Sequence, residues 1–444
     1  MIIVDRLLAE REQAGNPVRV AMVGAGFMGQ ALANQIVNSV TGMRLVAISN
    51  RRPERAEAAY AYAGLETVER VASQQALEAA IAAGRPAVTD DEMLLARSGQ
   101  VDILVDATGA VDFGARLVLE AFAHGVDVVL MNAELDATIG PLLAVKAREA
   151  GVIMSAVEGD EPGVQMNLIR WARGLGLIPR VVGNVKGLQD RYRNPTTQEG
   201  FARKWGENPY MVTSFADGTK ISFEQAIVAN ATGFGVLQRG MSRGGSTPAE
   251  LSEIASLYDL EQLRQLGGVV DYTVGPAGVK IFVLAEHPDP KQRHYLDLYK
   301  LGSGPLYALT VPYHLVHFEV PNAIARVALL RDEVAPPLAG PVVEVCACAK
   351  RDLKAGETLD AYGGYTTYGE AVNTDEMRTQ RYLPEGLVEG CVLVRDVPQD
   401  TVLTYDDVRL PAGRLADRLR AEQYLHFAGD TWLDELLSGQ AAAA

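Results

Sequence analysis

Cysteine, histidine and tryptophan are scarce in this chain of 444 residues, which contains three cysteines, six histidines and three tryptophans. Cys346, Cys348 and Cys391 are too few and too irregularly spaced for a disulfide framework or a structural zinc site. We therefore expect buried free thiols in a reducing cytoplasm. Histidines and carboxylates do not cluster at metal-ligand spacing in the sequence, so we expect no metal.

Basic residues are also in short supply, with 41 lysines and arginines against 56 acidic residues and a net charge of −15. Nucleic-acid binding requires a basic face, so this balance argues against a nucleic-acid partner. Apolar runs fall short of the roughly 20 residues of a membrane helix. The N-terminal segment mixes acidic and basic residues, which is typical of neither a signal peptide nor a transit peptide. We expect a cytoplasmic protein without a membrane partner.

The remaining composition is that of a globular protein, with 48% hydrophobic and 22% charged residues. At about 100–200 residues per domain, the length predicts two to four domains. In the first half, short apolar runs alternate with helical stretches, which predicts an α/β fold with a parallel sheet covered on both faces. The predicted strands are 18–23, 45–49, 102–106, 127–131 and 152–156.

The second half divides into two further predicted parts. Residues 159–335 mix helices and strands around a long polar stretch, 187–210, which we interpret as a functional loop. Residues 336–444 contain short strands and turns and predict a small β-rich domain. We thus expect three domains: a dinucleotide-binding domain over 1–158, a substrate-binding and dimerisation domain over 159–335, and the β-rich domain. The last helix of the second domain, near 320–331, is expected to pack back on the first.

The strongest motif is a glycine pattern, Gly24-Ala25-Gly26-Phe27-Met28-Gly29, directly after the first predicted strand. Gly24 allows a tight turn, Gly26 lets a pyrophosphate approach the backbone, and Gly29 lets the following helix pack closely on the strand. The helix N-terminus supplies amide donors to the phosphates. We predict a dinucleotide site that includes Phe27 and Met28. The alternative is a glycine-rich turn in a sheet that binds no nucleotide.

The end of the second predicted strand bears on which dinucleotide binds. NAD sites usually carry Asp or Glu about 20 residues after the glycines. This chain has Ser49, Asn50, Arg51 and Arg52 there, and arginine pairs well with phosphate. The sequence favours NADP over NAD, with the 2′-phosphate near the two arginines. The alternative is that Arg51 and Arg52 form a solvated pair.

Two later strands end in polar residues that could line the nicotinamide ribose, because strand ends of an open α/β sheet face the ligand crevice. Thr108 and Gly109 follow one strand, and Asn132 and Glu134 follow the next. Plain structural turns are the alternative for both pairs.

Hydride transfer to a carbonyl leaves an alkoxide that must be stabilised and protonated. Lys186, at a strand end, is our candidate acid or electrostatic stabiliser, with a surface lysine as the alternative. Asp160 and Glu161 could orient substrate hydroxyls or move a proton, or could simply begin a helix before Pro162. His314 is a fourth candidate, either at the substrate or in a structural role.

Arginines in predicted loops are candidates for binding an anionic substrate in this acidic protein, and their alternative is a solvated surface role. The predicted substrate residues are Arg191, Arg193, Arg239, Arg243 and Tyr313.

The chain resembles homoserine dehydrogenase-like oxidoreductases, in the branch with a C-terminal SAF domain. Within that branch it resembles the 1-deoxy-D-xylulose 5-phosphate reductoisomerase-like family, and sugar-acid oxidoisomerases are also similar. The resemblance rests on the glycine motif and on the segments 106–109, 131–134, 159–162, 229–233, 312–315, 319–321, 344–347, 350 and 356–357.

Two departures narrow what the resemblance implies. No lysine follows Asn132, which disfavours homoserine as substrate, and only one lysine, Lys186, stands where the reductoisomerase-like enzymes have two. Together with the glycine motif and the two arginines, the resemblance implies an NADP-dependent oxidoreductase, which we expect to form a homodimer or a higher homo-oligomer. Its substrate would be a hydroxylated anionic carbonyl compound, a sugar phosphate or sugar acid, reduced or oxidised with or without ketol rearrangement. The alternatives are a non-catalytic, NADP-responsive sugar-binding or scaffold protein and, within the family, a true 1-deoxy-D-xylulose 5-phosphate reductoisomerase-like enzyme.

Overall fold

A computed structural model describes residues 4–241, 251–275 and 281–443. The chain forms two compact units. Unit one comprises Met1–Asp160 and Leu315–Pro336, and unit two comprises Glu161–His314 and Pro337–Ala444. Elements are numbered in chain order. Among the described residues, no helix combines the length and the apolarity that crossing a bilayer requires.

Unit one is built on a seven-stranded sheet in which every pair of neighbours is parallel. The strand order is β3-β4-β2-β1-β5-β6-β7, so the order reverses at β1. The central strands are almost fully buried, as expected for continuous apolar runs between two helical layers. The strands are β1 (Val18–Val23), β2 (Met43–Ser49), β3 (Glu69–Arg70), β4 (Ala87–Thr89), β5 (Ile103–Asp106), β6 (Asp127–Leu130) and β7 (Met154–Ala156).

The helices of unit one connect these strands and cover both faces of the sheet. A later segment, α14 with the π-helix that continues it, returns to this unit, where Val320, Ile324 and Val327 join the core that contains Leu32 and Ile36. The helices are α1 (Val4–Gln13), α2 (Phe27–Ser39), α3 (Pro53–Tyr62), α4 (Gln74–Ala82), α5 (Glu92–Ala96), α6 (Val111–Ala123), α7 (Ala133–Glu149), α14 (Val316–Ala325) and the π-helix Arg326–Leu330.

Unit two contains a four-stranded sheet of order β11-β10-β8-β9, in which β8 runs parallel to β9 and antiparallel to β10. The strands are β8 (Ile178–Lys186), β9 (Val269–Val274), β10 (Ile281–Glu286) and β11 (Leu306–Val311). Its helices up to residue 298 are α8 (Glu161–Gly174), α9 (Pro195–Trp205), α10 (Pro209–Asp217), α11 (Thr219–Thr232), α12 (Leu260–Leu266), α13 (Pro290–Leu298) and the 3-10 helix Leu251–Leu257.

The prediction of one long loop over 187–210 is wrong, because α9 lies within it and α10 begins there. Asn194 caps α9 through a reciprocal pair of hydrogen bonds with Thr197, and Pro195 occupies the first helical turn. An Asn-Pro start is a strong helix N-terminal signal. Because this exposed helix is rich in polar residues, the periodicity of apolar residues did not predict it.

The C-terminal segment of unit two combines antiparallel strands with three helices. The strands and helices are β12 (Val343–Ala349), β13 (Thr367–Asn373), β14 (Val392–Leu393), β15 (Val408–Arg409), α15 (Thr374–Thr379), α16 (Leu415–Ala428), α17 (Trp432–Ala443) and two 3-10 turns, Glu385–Leu387 and Tyr405–Asp407. The expectation that strands and turns predominate missed α16, because its buried side includes Asp417, Arg420 and Gln423. All three cysteines are buried free thiols.

The predicted α/β fold class is confirmed: a parallel-sheet unit, a second α/β unit and C-terminal antiparallel strands are all present. The predicted three-domain boundaries stay a prediction.

Candidate active site

The glycine motif forms the turn between β1 and α2. Gly24 has φ of +105°, and a Cβ there would lie 2.7 Å from the Ala107 carbonyl oxygen. A Cβ on Gly29 would lie 2.5 Å from the Gly24 carbonyl oxygen. Gly26 has an ordinary φ of −79°, and apart from its two chain neighbours no described residue lies within 4 Å of its hypothetical Cβ. Two glycines are therefore required by the fold, whereas Gly26 leaves open the space that a pyrophosphate would enter.

This turn lies at the carboxyl end of β1, where the strand order of the sheet reverses, and open α/β sheets bind ligands at such switch points. Phe27, in the first turn of α2, is 44% exposed, the Met28 side chain is half-buried and Gly29 is buried. The location fits a dinucleotide, whose phosphates are bound by amides of a helix N-terminus.

Gly26 and Phe27 are the exposed part of the motif, whereas Gly24 and Ala25 before them and Gly29 after them are buried. The exposed part of the turn is thus the part at which Gly26 leaves space.

The second strand ends in the segment that the sequence assigned to the adenine ribose. Ser49 is buried, and Asn50 is committed to the local turn, because its side-chain oxygen accepts a hydrogen bond from the Arg52 amide at 3.0 Å. Arg51 and Arg52 are exposed. The two guanidinium groups are therefore accessible to a ligand phosphate, whereas the Asn50 side chain stabilises the turn.

The ends of β5 and β6 are linked by a buried hydrogen-bonded group. Asp106 accepts hydrogen bonds from the Thr108 hydroxyl at 2.6 Å and from the Asn132 amide at 2.9 Å, and Asn132 also caps α7. Burial raises the pKa of the Asp106 carboxyl, and these hydrogen bonds oppose the rise. Asn132 and Glu134 are buried, and Gly109 has φ of +69°. The group holds the shape of the crevice, and a direct role of these residues at the cofactor stays a prediction.

In unit two, three side chains converge on one oxygen of Glu161, the first residue of α8. Glu161 Oε1 accepts a hydrogen bond from Asn184 at 3.0 Å and lies 3.6 Å from Lys186 Nζ and 3.5 Å from His314 Nε2. We call these four residues the Glu161 cluster. The Glu161 side chain is 5% exposed, Lys186 15% and His314 28%. The cluster is therefore largely shielded but still reachable at its lysine and histidine.

The strand pattern places two members of the cluster on one face. Asn184 and Lys186 are two residues apart in β8, so their side chains project to the same side of the sheet. Asn184 Oδ1 and His314 Nδ1 have no hydrogen-bond partner among the described residues. A lysine ammonium, an imidazole and an amide next to one carboxylate can position a carbonyl oxygen and move a proton.

All four residues of the cluster belong to unit two. Glu161 and His314 are the first and last residues of the stretch that unit two contributes before α14. Asp160, which directly precedes Glu161, is buried and belongs to unit one. Aspartate, glutamate and histidine are residue types that bind divalent metal ions in proteins. The expectation that no metal is needed stays a prediction.

The predicted substrate arginines separate in the structure. Arg239 Nε donates to Glu370 at 2.9 Å, and Arg191 lies 3.6 Å from the same carboxylate. Arg193 instead pairs with Asp190 in its own turn. Tyr313 is exposed. Arg243 lies outside the described residues.

Arg191 also borders a cavity of about 210 Å³ within unit two, which we call the Arg191 cavity. Its walls come from the segment after β8, from the junction of α10 and α11, from β9 and from β13. The lining side chains are Gln189, Arg191, Asp217, Ser222, Tyr272, Val274, Tyr368 and Glu370.

The sequence did not single out Asn184 or Glu370. Asn184 carries a detectable signal, because it is a polar residue inside an apolar strand and has the same alternation as Lys186. Glu370 has no such signal in the sequence. Its partners Arg191 and Arg239 lie more than 100 residues earlier in the chain, and only the fold brings β13 to them.

Two family models match the chain. Residues 18–131 match an oxidoreductase family with an NAD-binding Rossmann fold, named GFO_IDH_MocA. Residues 159–320 match the catalytic domain of the oxidoreductase DRL. Both models describe oxidoreductases, and the first agrees with the sheet and glycine turn of unit one. The matches end at residue 320, so the similarity of the C-terminal segment to a SAF domain stays a prediction.

Individual proteins give shorter or weaker matches. A homoserine dehydrogenase of Pseudomonas aeruginosa is 33% identical over 129 residues, which cover 25% of this chain and 30% of that protein. A myo-inositol 2-dehydrogenase of Lactobacillus plantarum aligns over 73% of this chain and 94% of its own, with 12% identity and a TM-score of 0.41. A myo-inositol dehydrogenase of Lactobacillus casei aligns over 73% and 92%, with 12% identity and a TM-score of 0.41.

Proposed function

We propose that this protein is an NADP-dependent oxidoreductase that acts on a hydroxylated anionic carbonyl compound, a sugar acid or sugar phosphate. The observation that carries the proposal is the Glu161 cluster, in which a lysine, a histidine and an asparagine meet at one shielded carboxylate oxygen. This arrangement supplies a proton donor and hydrogen-bond donors for a carbonyl oxygen. The oxidoreductase family matches on both sides of residue 159 support the same reaction class.

The glycine turn fits the cofactor that this proposal requires. Gly26 leaves space for a pyrophosphate, and the exposed Arg51 and Arg52 could bind a 2′-phosphate through their planar guanidinium groups. The absence of a carboxylate in that segment favours NADP over NAD. When bound, the nicotinamide supplies or accepts the hydride.

The residues of the Glu161 cluster would take separate roles. Lys186 donates a hydrogen bond to the substrate carbonyl oxygen and gives it a proton as negative charge develops there. Glu161 holds Lys186 and the His314 ring in place through its Oε1 atom. Asn184 fixes the rotamer of Glu161. In the reverse direction, Lys186 accepts the proton of the substrate hydroxyl.

Lys186→Met tests the central step, and Lys291→Met is the matched control on the exposed surface of α13. NADPH oxidation and NADP reduction would be followed with a panel of sugar acids and sugar phosphates, with and without a chelator. We expect Lys186→Met to lower kcat by about 10²–10⁴-fold, the usual contribution of a general acid, while NADP affinity is retained. The control should match the wild type.

Two results would contradict the proposal. Unchanged turnover in Lys186→Met would remove this lysine from the mechanism. Tight NADP binding without turnover of any member of the panel would support a non-catalytic, NADP-responsive sugar-binding protein instead. Product analysis by NMR would show whether ketol rearrangement accompanies hydride transfer, as the reductoisomerase-like resemblance implies. We further propose that the protein is a cytoplasmic homo-oligomer and that its C-terminal segment is SAF-like. Light scattering would measure the oligomeric state.

A further inference from the structure

The Arg191 cavity is the right size for a short-chain molecule. Its volume of about 210 Å³ corresponds to several water molecules, at about 30 Å³ each in the liquid. This space is of the order that a short hydroxylated carbon chain occupies.

Register places the cavity beside the Glu161 cluster. In the parallel pair β8–β9, Asn184 is paired with Tyr272 and Lys186 with Val274. Paired residues of neighbouring strands project from the same face, about 4.8 Å apart. Tyr272 and Val274 line the cavity, so it opens on the face that carries Asn184 and Lys186. A substrate whose carbonyl group lies at Lys186 could therefore extend its remaining carbons into the cavity.

The walls offer both donors and acceptors of hydrogen bonds. The Arg191 guanidinium donates to the Tyr368 hydroxyl at 3.2 Å, and the Tyr368 hydroxyl donates to Asp400 at 3.0 Å. Glu370 provides acceptor oxygens, and Gln189 and Ser222 provide an amide and a hydroxyl. A hydroxyl group both donates and accepts, so walls of this mixed kind match a polyhydroxylated chain better than an apolar one.

The charges near the cavity are close to balanced. Arg191 and Arg239 face Glu370, while Asp400 accepts hydrogen bonds from Tyr368 and Tyr192. Glu376 also lies 3.9 Å from Arg239, so these two cations and three carboxylates leave one negative charge. The buried ion pair of Asp217 with Lys350, at 2.9 Å, adds no net charge. Such a site disfavours a doubly charged phosphate more than it disfavours a ligand with one carboxylate, which an arginine fork can bind.

We propose that the Arg191 cavity binds the hydroxylated chain of a monocarboxylic sugar acid, and that Glu370 is a specificity-determining residue that accepts hydrogen bonds from its hydroxyl groups. This inference rests on the proposed function, since it places the remainder of the substrate beside the Glu161 cluster. It gives the C-terminal segment a direct part in substrate recognition, because β13 supplies Tyr368 and Glu370.

A cavity-filling variant tests the location by binding alone. Val274→Phe puts a ring into the cavity, and Val311→Phe makes the same change in β11, at the opposite edge of the sheet. Calorimetry on the full chain with saturating NADP would use aldonic acids of four to six carbons, the alkanoic acids of equal length, and aldose phosphates. We expect an aldonic acid to bind, the matching alkanoate to bind about tenfold more weakly or worse, and Val274→Phe to lose about tenfold in affinity. Val311→Phe should bind as the wild type does.

Glu370→Gln tests the residue while nearly preserving its shape. We expect about a tenfold higher KM for the aldonic acid, with kcat within about twofold and unchanged NADP affinity, because Glu370 contacts no reacting bond. Equal losses in kcat and kcat/KM would overturn this role. So would tighter binding of phosphates than of aldonic acids, or no binding of any aldonic acid.

The two proposals fail in different ways. Turnover with an unchanged KM in Val274→Phe would overturn the cavity assignment and leave the proposed oxidoreductase intact. Aldonic acid binding that Val274→Phe abolishes, without turnover of either nucleotide, would support the cavity and overturn the proposed function. Thermal unfolding of each variant shows whether the fold is retained.

Discussion

Alanine substitutions at two motif glycines separate the demands of the fold from those of the cofactor. In Gly29→Ala the new Cβ would lie 2.5 Å from the Gly24 carbonyl oxygen, a backbone atom that cannot rotate away. Overpacking of this kind costs about 1–3 kcal/mol, offset by roughly 1 kcal/mol of improved helix propensity. We expect a net loss of about 1–2 kcal/mol.

Gly26→Ala should behave differently. Its backbone is in a region that alanine adopts, and its Cβ would meet no described atom within 4 Å. We expect stability within about 0.5 kcal/mol of the wild type. Binding should nevertheless fall by about tenfold or more, equivalent to about 1.4 kcal/mol, because the methyl group would occupy the space that the pyrophosphate needs.

Thermal unfolding and calorimetry with NADP and NAD measure the two effects independently. For a unit of 150–250 residues, 1 kcal/mol shifts Tm by roughly 2–4 °C, so Gly29→Ala should melt about 2–8 °C lower. Gly26→Ala should melt as the wild type does in the absence of nucleotide, and should gain less stability when nucleotide is added. Wild-type nucleotide affinity in Gly26→Ala would refute the pyrophosphate assignment. A large loss of stability in that variant would refute the steric reasoning.

Three further predictions concern unit one. Arg51→Asp should lower kcat/KM for NADP about tenfold or more and favour NAD, whereas Arg55→Asp, an exposed control on α3, should not; equal effects would point to general electrostatics. Burial raises the pKa of Asp136 to about 7, so wild-type stability should fall as pH rises from about 4 to 7, by up to about 4 kcal/mol. In urea unfolding, the free energy of unfolding of Asp136→Asn minus that of the wild type should increase across that pH range, and a constant difference would contradict this. Arg326→Met leaves the buried Glu158 without its cation and should cost about 3–5 kcal/mol, most of which Glu158→Met in the same chain should restore.

Local sequence patterns were sufficient where a single strand and its neighbouring turn carry the information. The run 18–23 followed by Gly24 and Gly29 predicted the strand, the turn and the following helix, and the structure has all three. Buried parallel strands need continuous apolar side chains, and a tight turn into a helix needs glycine, so both leave a direct trace in the sequence.

Patterns were insufficient where polar residues lie inside helices. Helix α9 is exposed and polar, and α16 buries Asp417, Arg420 and Gln423, so neither shows a clean apolar stripe. Arg420 is buried because Glu344, more than 70 residues earlier, provides its counter-charge. Such compensation depends on tertiary contacts that periodicity does not report.

The candidate site shows the same division. The sequence by itself determined the α/β class, the glycine turn and the chemical types of Lys186, Glu161 and His314, because each depends on local spacing or on the chemistry of one side chain. Only the tertiary structure decided that these three meet at one carboxylate oxygen together with Asn184. It also decided that Arg193 pairs with the nearby Asp190, while Arg191 lies beside Glu370. Distances between residues far apart in the chain follow from how strands and helices pack, and that packing is a property of the whole fold.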